Sequence, residues 1–139
     1  MGVRVRSIRP MTLEAPLKPN RNHLQTAFGG SINALATLAA YAFLWLELRE
    51  DSTAHVVVAE SSIRFRRPIR GLIRAICLPP DPAAVAMLKP NLAHTGRVRI
   101  RLHVEIKENR FVAAEFEGNF VAIHASRNRH TFGRAPARG

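Results

Sequence analysis

The strongest pattern along the chain is a long apolar segment. Twenty consecutive residues, Ala27 to Leu46, carry no formal charge, and the polar sequence ELRED follows them. Large apolar side chains recur there at helical spacing on nearly every side of the axis, as in a helix that is buried all round. The segment therefore predicts a long core helix. One stripe of it is formed by Phe28, Ile32, Leu35, Ala39, Phe43 and Leu46.

Strands are predicted on both sides of this helix, because β-branched and aromatic residues alternate with polar ones. They cover residues 3–15 with an interruption at Pro10, and then His55–Ile69, Leu72–Leu78, Gly96–Ile106 and Phe111–Ala125. A short helix is predicted after Asp81, an N-capping residue followed by Pro82 at the first helical position.

The alternation is strictest in GRVRIRLHVEI, where Val98, Ile100, Leu102, Val104 and Ile106 face one way. The other face carries Arg97, Arg99, Arg101, His103 and Glu105. An antiparallel sheet with one apolar face must bury that face. Only the long helix is large and apolar enough to cover it. The predicted class is therefore α+β, with an antiparallel sheet curved around one central helix.

The same uncharged length could also cross a bilayer. The segment contains Gly29, Gly30, Ser31, Asn33 and Thr37, and alanine supplies many of its apolar residues. The later strands have the one-sided polarity of a sheet in water. We therefore expect no membrane span.

Composition fits one domain of 139 residues with 47% hydrophobic content. Cys77 is the only cysteine and the histidines lack metal-ligand spacing, so no disulfide, metal site or cofactor is expected. The first sixteen residues lack the apolar run of a secretory signal, which predicts a cytoplasmic protein. Residues 1–125 are expected to form the domain, and residues 126–139 a basic, disordered tail.

The chain is strongly basic, with a net charge of +11, and arginine supplies 18 of its 21 basic residues. Such a charge attracts nucleic acid, acidic membrane surfaces or phosphorylated small molecules, although a solvated surface explains it equally well. Few aromatic residues interleave the arginines and no reading motif is present. Nucleic acid is therefore not an expected partner.

The start of the helix suggests chemistry. Gly29 and Gly30 allow close approach of a ligand to the backbone, and the first helical N–H groups have no internal acceptors. These donors could polarise a carbonyl or hold an oxyanion. The alternative is an ordinary turn with Ser31 as the helix cap.

The order of elements and the segment NHLQTAFGGSINALATL resemble the hot-dog fold, in which five or six antiparallel strands wrap a long helix. The segment is similar to the Asn-x5-His-Gly-Gly signature of acyl-CoA thioesterases of that fold, with Phe28 at the histidine position. SSIRFRRPIRG resembles the strand after the helix. The likeness covers residues 11–125 and is greatest to the thioesterase-like domains found alone or at the C-terminus of YiiD-type bacterial proteins.

The resemblance implies a thioesterase site at a homodimer interface, in a dimer or a dimer of dimers. By the family's pattern, Phe28, Gly29 and Gly30 would bind the substrate, with a glycine amide on the thioester oxygen, and Asn22 would orient substrate or water. The family usually has a carboxylate eight residues after the first glycine. This chain has Thr37 there.

Several interpretations of Thr37 stay open. It could position a water, it could bond back to the carbonyl of residue 33, or it could mark the loss of hydrolysis. Glu60 is the candidate base, as an acidic residue inside an apolar strand, although alternation places it opposite Ile63 and it could pair with a neighbouring arginine. His23 could shuttle protons.

The phosphates of CoA or of an acyl carrier would suit Arg66, Arg67 or Arg97 at strand ends. The predicted function is hydrolysis of acyl-CoA or acyl-carrier thioesters. The alternatives are a non-catalytic acyl-binding or assembly module of the same fold and, with less support, a dehydratase.

Overall fold

A computed structural model describes residues 1–125, and the predicted tail at 126–139 lies outside the described residues. Six strands and three helices make up this part of the chain. They are β1 (Arg4–Ile8), β2 (Met11–Ala15), α1 (Gly29–Glu47), β3 (Ala54–Phe65), β4 (Ile73–Cys77), α2 (Pro82–Ala86), α3 (Leu88–Thr95), β5 (Arg97–Glu108) and β6 (Phe111–His124), with a short 3-10 turn at Lys18–Asn20.

The strands form one antiparallel sheet in the order β1-β2-β4-β5-β6-β3. In the long β5–β6 ladder Arg97 lies opposite Ile123 and Glu108 opposite Phe111. β3 and β1 are the two edges. The sheet and its one long helix confirm the predicted α+β architecture.

Helix α1 packs against the inner face of the sheet through small residues. Ala36, Ala39 and Ala40 are fully buried, and Leu35 and Leu44 fill the space beside them. Because the alanine side chain is short, the backbones of the helix and the sheet can approach closely without leaving a void. Each large apolar side chain that the contact removes from water contributes about 1.5–3 kcal/mol.

The opposite side of α1 is uncovered, which differs from the expectation of a helix wrapped on all sides. Leu38, Tyr41 and Trp45 are 42%, 38% and 52% exposed, and Gly30 and Ala34 continue the same stripe toward the N-terminus. The helix has the length and hydropathy of a membrane span. Its buried face nevertheless forms the core with the sheet, and no membrane span is evident within residues 1–125.

Two details of the elements differ from the prediction. The N-terminal strand is split at Arg9-Pro10 into a hairpin, β1 and β2, because proline cannot continue the ladder. The region after Asp81 contains two helices rather than one. Asp81 caps α2 through Ala83 N–H, as predicted, and the chain bends at Met87 before α3.

Gly118 solves a packing problem on the inner face of β6. A Cβ atom there would lie 2.7 Å from Phe120 Cε2 and 3.1 Å from Phe116 Cε1. Both rings are buried in the core, so neither can move aside without displacing its packed neighbours. The missing side chain is what allows two phenylalanines to share this part of the sheet.

We expect Gly118→Ala to lower the free energy of unfolding by about 1–3 kcal/mol, because the added methyl overpacks two buried rings. Gly71→Ala is the matched control, since a Cβ there has no neighbour within 4 Å. It should change stability by less than about 1 kcal/mol. Urea unfolding at one fixed protein concentration measures both, and equal values for the two variants would contradict the packing role.

Cys77 provides a second test of the core. Its side chain is 1% exposed in β4, and desolvation raises the pKa of the thiol to about 12. The native thiol should therefore resist a disulfide reagent at pH 8 and react fully in guanidinium. Because the pKa of the folded thiol lies above its ordinary value of 9.0, the contribution of the neutral thiol to stability should be complete below about pH 9 and decline as pH rises toward 12. Rapid labelling of the folded protein would show that the thiol is accessible.

Candidate active site

The loop before α1 is organised by Asn20, a buried side chain that the sequence pattern does not single out. Its Nδ2 donates to the carbonyls of Met1 and Pro16 at 2.9 and 2.7 Å. The backbone carbonyl of Asn20 accepts from Phe28 N–H at 2.6 Å. A second bond joins Ala27 N–H to the carbonyl of Ile69 at 2.8 Å. The start of the helix is thus tied to both the preceding loop and the β3–β4 connection.

Asn22 closes a small ring with Thr26. Its Oδ1 accepts from the N–H groups of Leu24 and Thr26 at 2.9 and 3.2 Å, and its Nδ2 donates to Thr26 Oγ1 at 3.0 Å. Both ends of the amide therefore serve the loop in this conformation. What the structure shows directly for Asn22 is the shaping of the loop that leads to the glycines.

The amides at the start of α1 are available for a ligand. Phe28 is the N-terminal cap, with an extended backbone and no capping side chain, so the alternative with Ser31 as cap is wrong. Within residues 1–125, no acceptor is recorded for the N–H groups of Gly29, Gly30 or Ser31. These donors point away from the helix and carry the positive end of its dipole.

Two aromatic rings border the glycines. A Cβ on Gly29 would lie 3.3 Å from Phe65 Cζ, and one on Gly30 would lie 2.5 Å from Phe28 Cε1. Both phenylalanines are more than half exposed. Two exposed aromatic rings therefore lie beside the unpartnered amides. Phe65 was missed as a site residue, and its only sequence signal is that it shares the inward alternation of Ile63.

Thr37 has the local bond expected of it. Its Oγ1 donates to the carbonyl of Asn33 at 2.8 Å, which uses its proton and leaves its lone pairs available. Eight helical residues separate it from Gly29, or about 12 Å along the axis. Within one chain the two residues therefore cannot contact the same thioester carbon.

Glu60 lies on the outer face of the sheet. It pairs with Asn119 of β6, whose Nδ2 donates to Glu60 Oε1 at 2.6 Å, and it has no arginine partner among the residues that the structure describes. The helix is on the other side of the sheet. A bulge between Val58 and Glu60 shifts the strand register, and the face agrees with the alternation relative to Ile63.

Five of the six strand carboxylates lie on the outer face of the sheet, namely Glu14, Glu60, Glu105, Glu115 and Glu117. The sixth, Glu108, ends β5 and accepts from the backbone N–H of Arg70. The inward positions of the ladders are apolar or small between residues 1 and 106. None of the five outward carboxylates can reach the glycine end of α1 from within the sheet.

The three arginines proposed for phosphate contacts are not brought together. Arg66 forms an ion pair with Glu115 on the outer face, with Nη2 at 2.7 Å from Oε2. Arg67 lies over the ring of Phe111 at 4.4 Å. Arg97 starts β5 at the end of the sheet opposite to Arg66 and Arg67, near the C-terminus of α1. In a single chain only Arg66 and Arg67 share the glycine end.

Comparison with known proteins agrees with this architecture. Residues 1–124 match the family model described as "Putative thioesterase (yiiD_Cterm)". A protein of unknown function from Chlorobaculum tepidum TLS is 30% identical, with a TM-score of 0.82, over 89% of this chain and 83% of that chain.

Two more distant structures share the fold. A "putative thioesterase" from Shewanella oneidensis is 24% identical, with a TM-score of 0.69, over 88% of this chain and 78% of that one. A Bacillus halodurans protein solved with CoA is 19% identical, with a TM-score of 0.66, over 86% and 71% of the two chains. The protein described here has the hot-dog fold and belongs to the YiiD C-terminal thioesterase family.

Proposed function

We propose that the protein hydrolyses thioesters of CoA or of an acyl carrier, with the thioester carbonyl bound at the N-terminus of α1. The observation that carries this proposal is the group of unpartnered amides at Gly29 and Gly30, bordered by Phe28 and Phe65, in a chain of a thioesterase family. The rings can contact the apolar acyl chain, and the amides can donate to the oxygen of the thioester carbonyl.

The chemistry is addition of water to the carbonyl carbon, followed by release of the thiol. Negative charge develops on the carbonyl oxygen during addition, and helix-terminal N–H groups stabilise that charge because they are oriented before the reaction begins. The water loses one proton and the departing sulfur gains one. The chain must therefore position the water and provide a route for that proton.

We propose that Thr37 and Asn22 position the attacking water. The lone pairs of Thr37 Oγ1 can accept a hydrogen bond from it, and Asn22 can do so if its ring with Thr26 opens. His23, exposed in the same loop, is a possible proton carrier. Glu60 remains the third candidate, and its position on the outer face gives it the least support.

A homodimer would combine these parts. The exposed stripe of α1 is apolar, the neighbouring strand β3 is an open edge that exposes Val57 and Val58, and an unpaired edge strand readily accepts another strand. Antiparallel β3 pairing would place two helices side by side. Thr37 of the partner subunit could then approach Gly29, and Arg97 of the partner subunit would lie at the glycine end.

A second candidate function is a non-catalytic acyl-binding or assembly module. The outward direction of five of the six strand carboxylates and the threonine at position 37 favour it, since efficient general-base catalysis needs a carboxylate or imidazole within reach. Both functions place the protein in the cytoplasm, where CoA and carrier thioesters are found.

The deciding experiment incubates the purified protein with acyl-CoA and acyl-carrier thioesters of graded chain length and measures thiol release. Release above background supports hydrolysis. Thermal stabilisation by CoA species without any release would support the binding module instead. If the protein shows no stabilisation and no thiol release, both functions are contradicted.

Gly29→Pro tests the helix-terminal amides. Proline fits the first helical position, so the helix should form, but its nitrogen has no proton to donate. We expect kcat/KM to fall by about 10²–10³-fold. Gly29→Ala is the matched control, because it keeps the N–H and asks Phe65 to shift by only a few tenths of an ångström. If the two variants lose activity equally, the Gly29 amide does not bind the oxyanion.

Leu38→Glu tests the dimer. A charge in the middle of the exposed α1 stripe would be desolvated on association, so analytical ultracentrifugation should show one chain instead of two at micromolar concentration. Thioester hydrolysis should decline with it. Met87→Glu changes a similarly exposed residue between α2 and α3 and should leave the dimer intact. A Leu38→Glu variant that remains dimeric would exclude this face as the interface.

A further inference from the structure

A separate cavity lies between the β3–β4 connection and the β5–β6 turn. It has a volume of about 410 Å³ and is lined by Arg67, Pro68, Arg70, Glu108, Asn109 and Phe111. We refer to it as the arginine cavity. Its size falls within the range of small-molecule sites.

The arginine cavity contains a flat stacking surface. The Arg67 guanidinium lies 4.4 Å from the centroid of the Phe111 ring, and the Arg110 guanidinium lies 5.8 Å from it. Phe111 is 49% exposed, so this aromatic residue is not part of the core. Guanidinium and phenyl planes are surfaces on which nucleobases stack.

The charge of the cavity is unbalanced. Within residues 1–125 no carboxylate partner is recorded for Arg67, Arg70 or Arg110, unlike Arg66, which pairs with Glu115. The one acidic residue in the lining is Glu108, and its Oε2 accepts from the backbone N–H of Arg70 at 2.8 Å. The lining thus contains two guanidinium groups and one carboxylate that is already hydrogen-bonded, and Arg110 adds a third guanidinium against the Phe111 ring beside the cavity. This excess of positive charge favours a polyanionic ligand.

The cavity adjoins the helix tip. The segment that carries Arg67 begins after Phe65, whose ring borders Gly29, and continues to Ile69, whose carbonyl accepts from Ala27 N–H. Arg70 follows directly. A ligand with a flexible arm could therefore occupy the cavity with one end and extend to the Gly29 amide with the other.

We propose that the arginine cavity binds the nucleotide end of a CoA thioester, with the purine stacked on Arg67 and Phe111 and the phosphates paired with Arg70 and Arg110. This inference rests on the proposed function and selects between its two substrate classes. The arm of an acyl carrier ends in a protein and has no nucleotide, so the cavity favours CoA as the carrier of the acyl group. The stacked and charged groups converge on a phosphorylated purine.

The test uses 3′,5′-ADP, which has the nucleotide of CoA without its arm or acyl group. Calorimetry should detect binding to the wild-type chain, and the nucleotide should compete with acyl-CoA. In Arg70→Gln and Arg110→Gln the Kd should rise about tenfold to a hundredfold, because each loses a charge-assisted phosphate contact. Phe111→Ala should weaken binding similarly. Arg99→Gln, the same change on the outer face of β5, is the control and should bind normally.

Kinetics separate this proposal from the proposed function. The cavity variants should raise KM for acyl-CoA with little change in kcat, and they should leave hydrolysis of an acyl-pantetheine thioester unaffected. Equal KM values for acyl-CoA and acyl-pantetheine, or no binding of 3′,5′-ADP, would overturn the nucleotide site while hydrolysis stands. Binding of 3′,5′-ADP that depends on Arg70, without hydrolysis of any thioester, would overturn the hydrolase and keep the site. Hydrolysis of acyl-carrier substrate alone would overturn the choice of CoA.

Discussion

The contact between the alanine face of α1 and the inner face of the sheet fixes the position of everything else. Ala36, Ala39 and Ala40 bring the helix backbone close to the strands, and Gly118 makes room for two phenylalanine rings in the same layer. The helix can then neither rotate nor slide without forming voids or clashes. Its first turn is held further by the bond from Ala27 to Ile69. A catalytic or binding group at the tip therefore inherits the rigidity of the core.

Much of this arrangement could be predicted from the sequence because the relevant physics is local. The alternation from Val98 to Ile106 gave the inner and outer faces of β5 correctly, and the uncharged segment gave a helix whose bounds are Gly29 and Glu47. The exposure of Trp45 could not be predicted in the same way. An apolar side chain of this helix has the same hydrophobicity whether it packs in the core or lies exposed on the surface, so periodicity alone cannot tell the two positions apart.

The site was less predictable than the fold for a related reason. Its contacts join residues that are distant in sequence, such as Phe65 with Gly29 and Arg67 with Phe111, and no spacing rule encodes them. The motif also concealed a division of labour between two asparagines. Asn22 occupies the family position and closes its own loop, whereas the side chain of Asn20 ties the loop to Met1 and Pro16 and leaves its backbone carbonyl to accept from the amide of the helix cap.

Phe28 and Phe65 flank the glycines, and the groups that do so are side chains rather than backbone. Rotation about one or two torsion angles can thus change the clearance above Gly29 and Gly30 without disturbing a single hydrogen bond of the helix or sheet. The scaffold remains stiff while the space beside the unpartnered amides varies. Exchange of one aromatic residue would reshape that space and leave the framework around it in place.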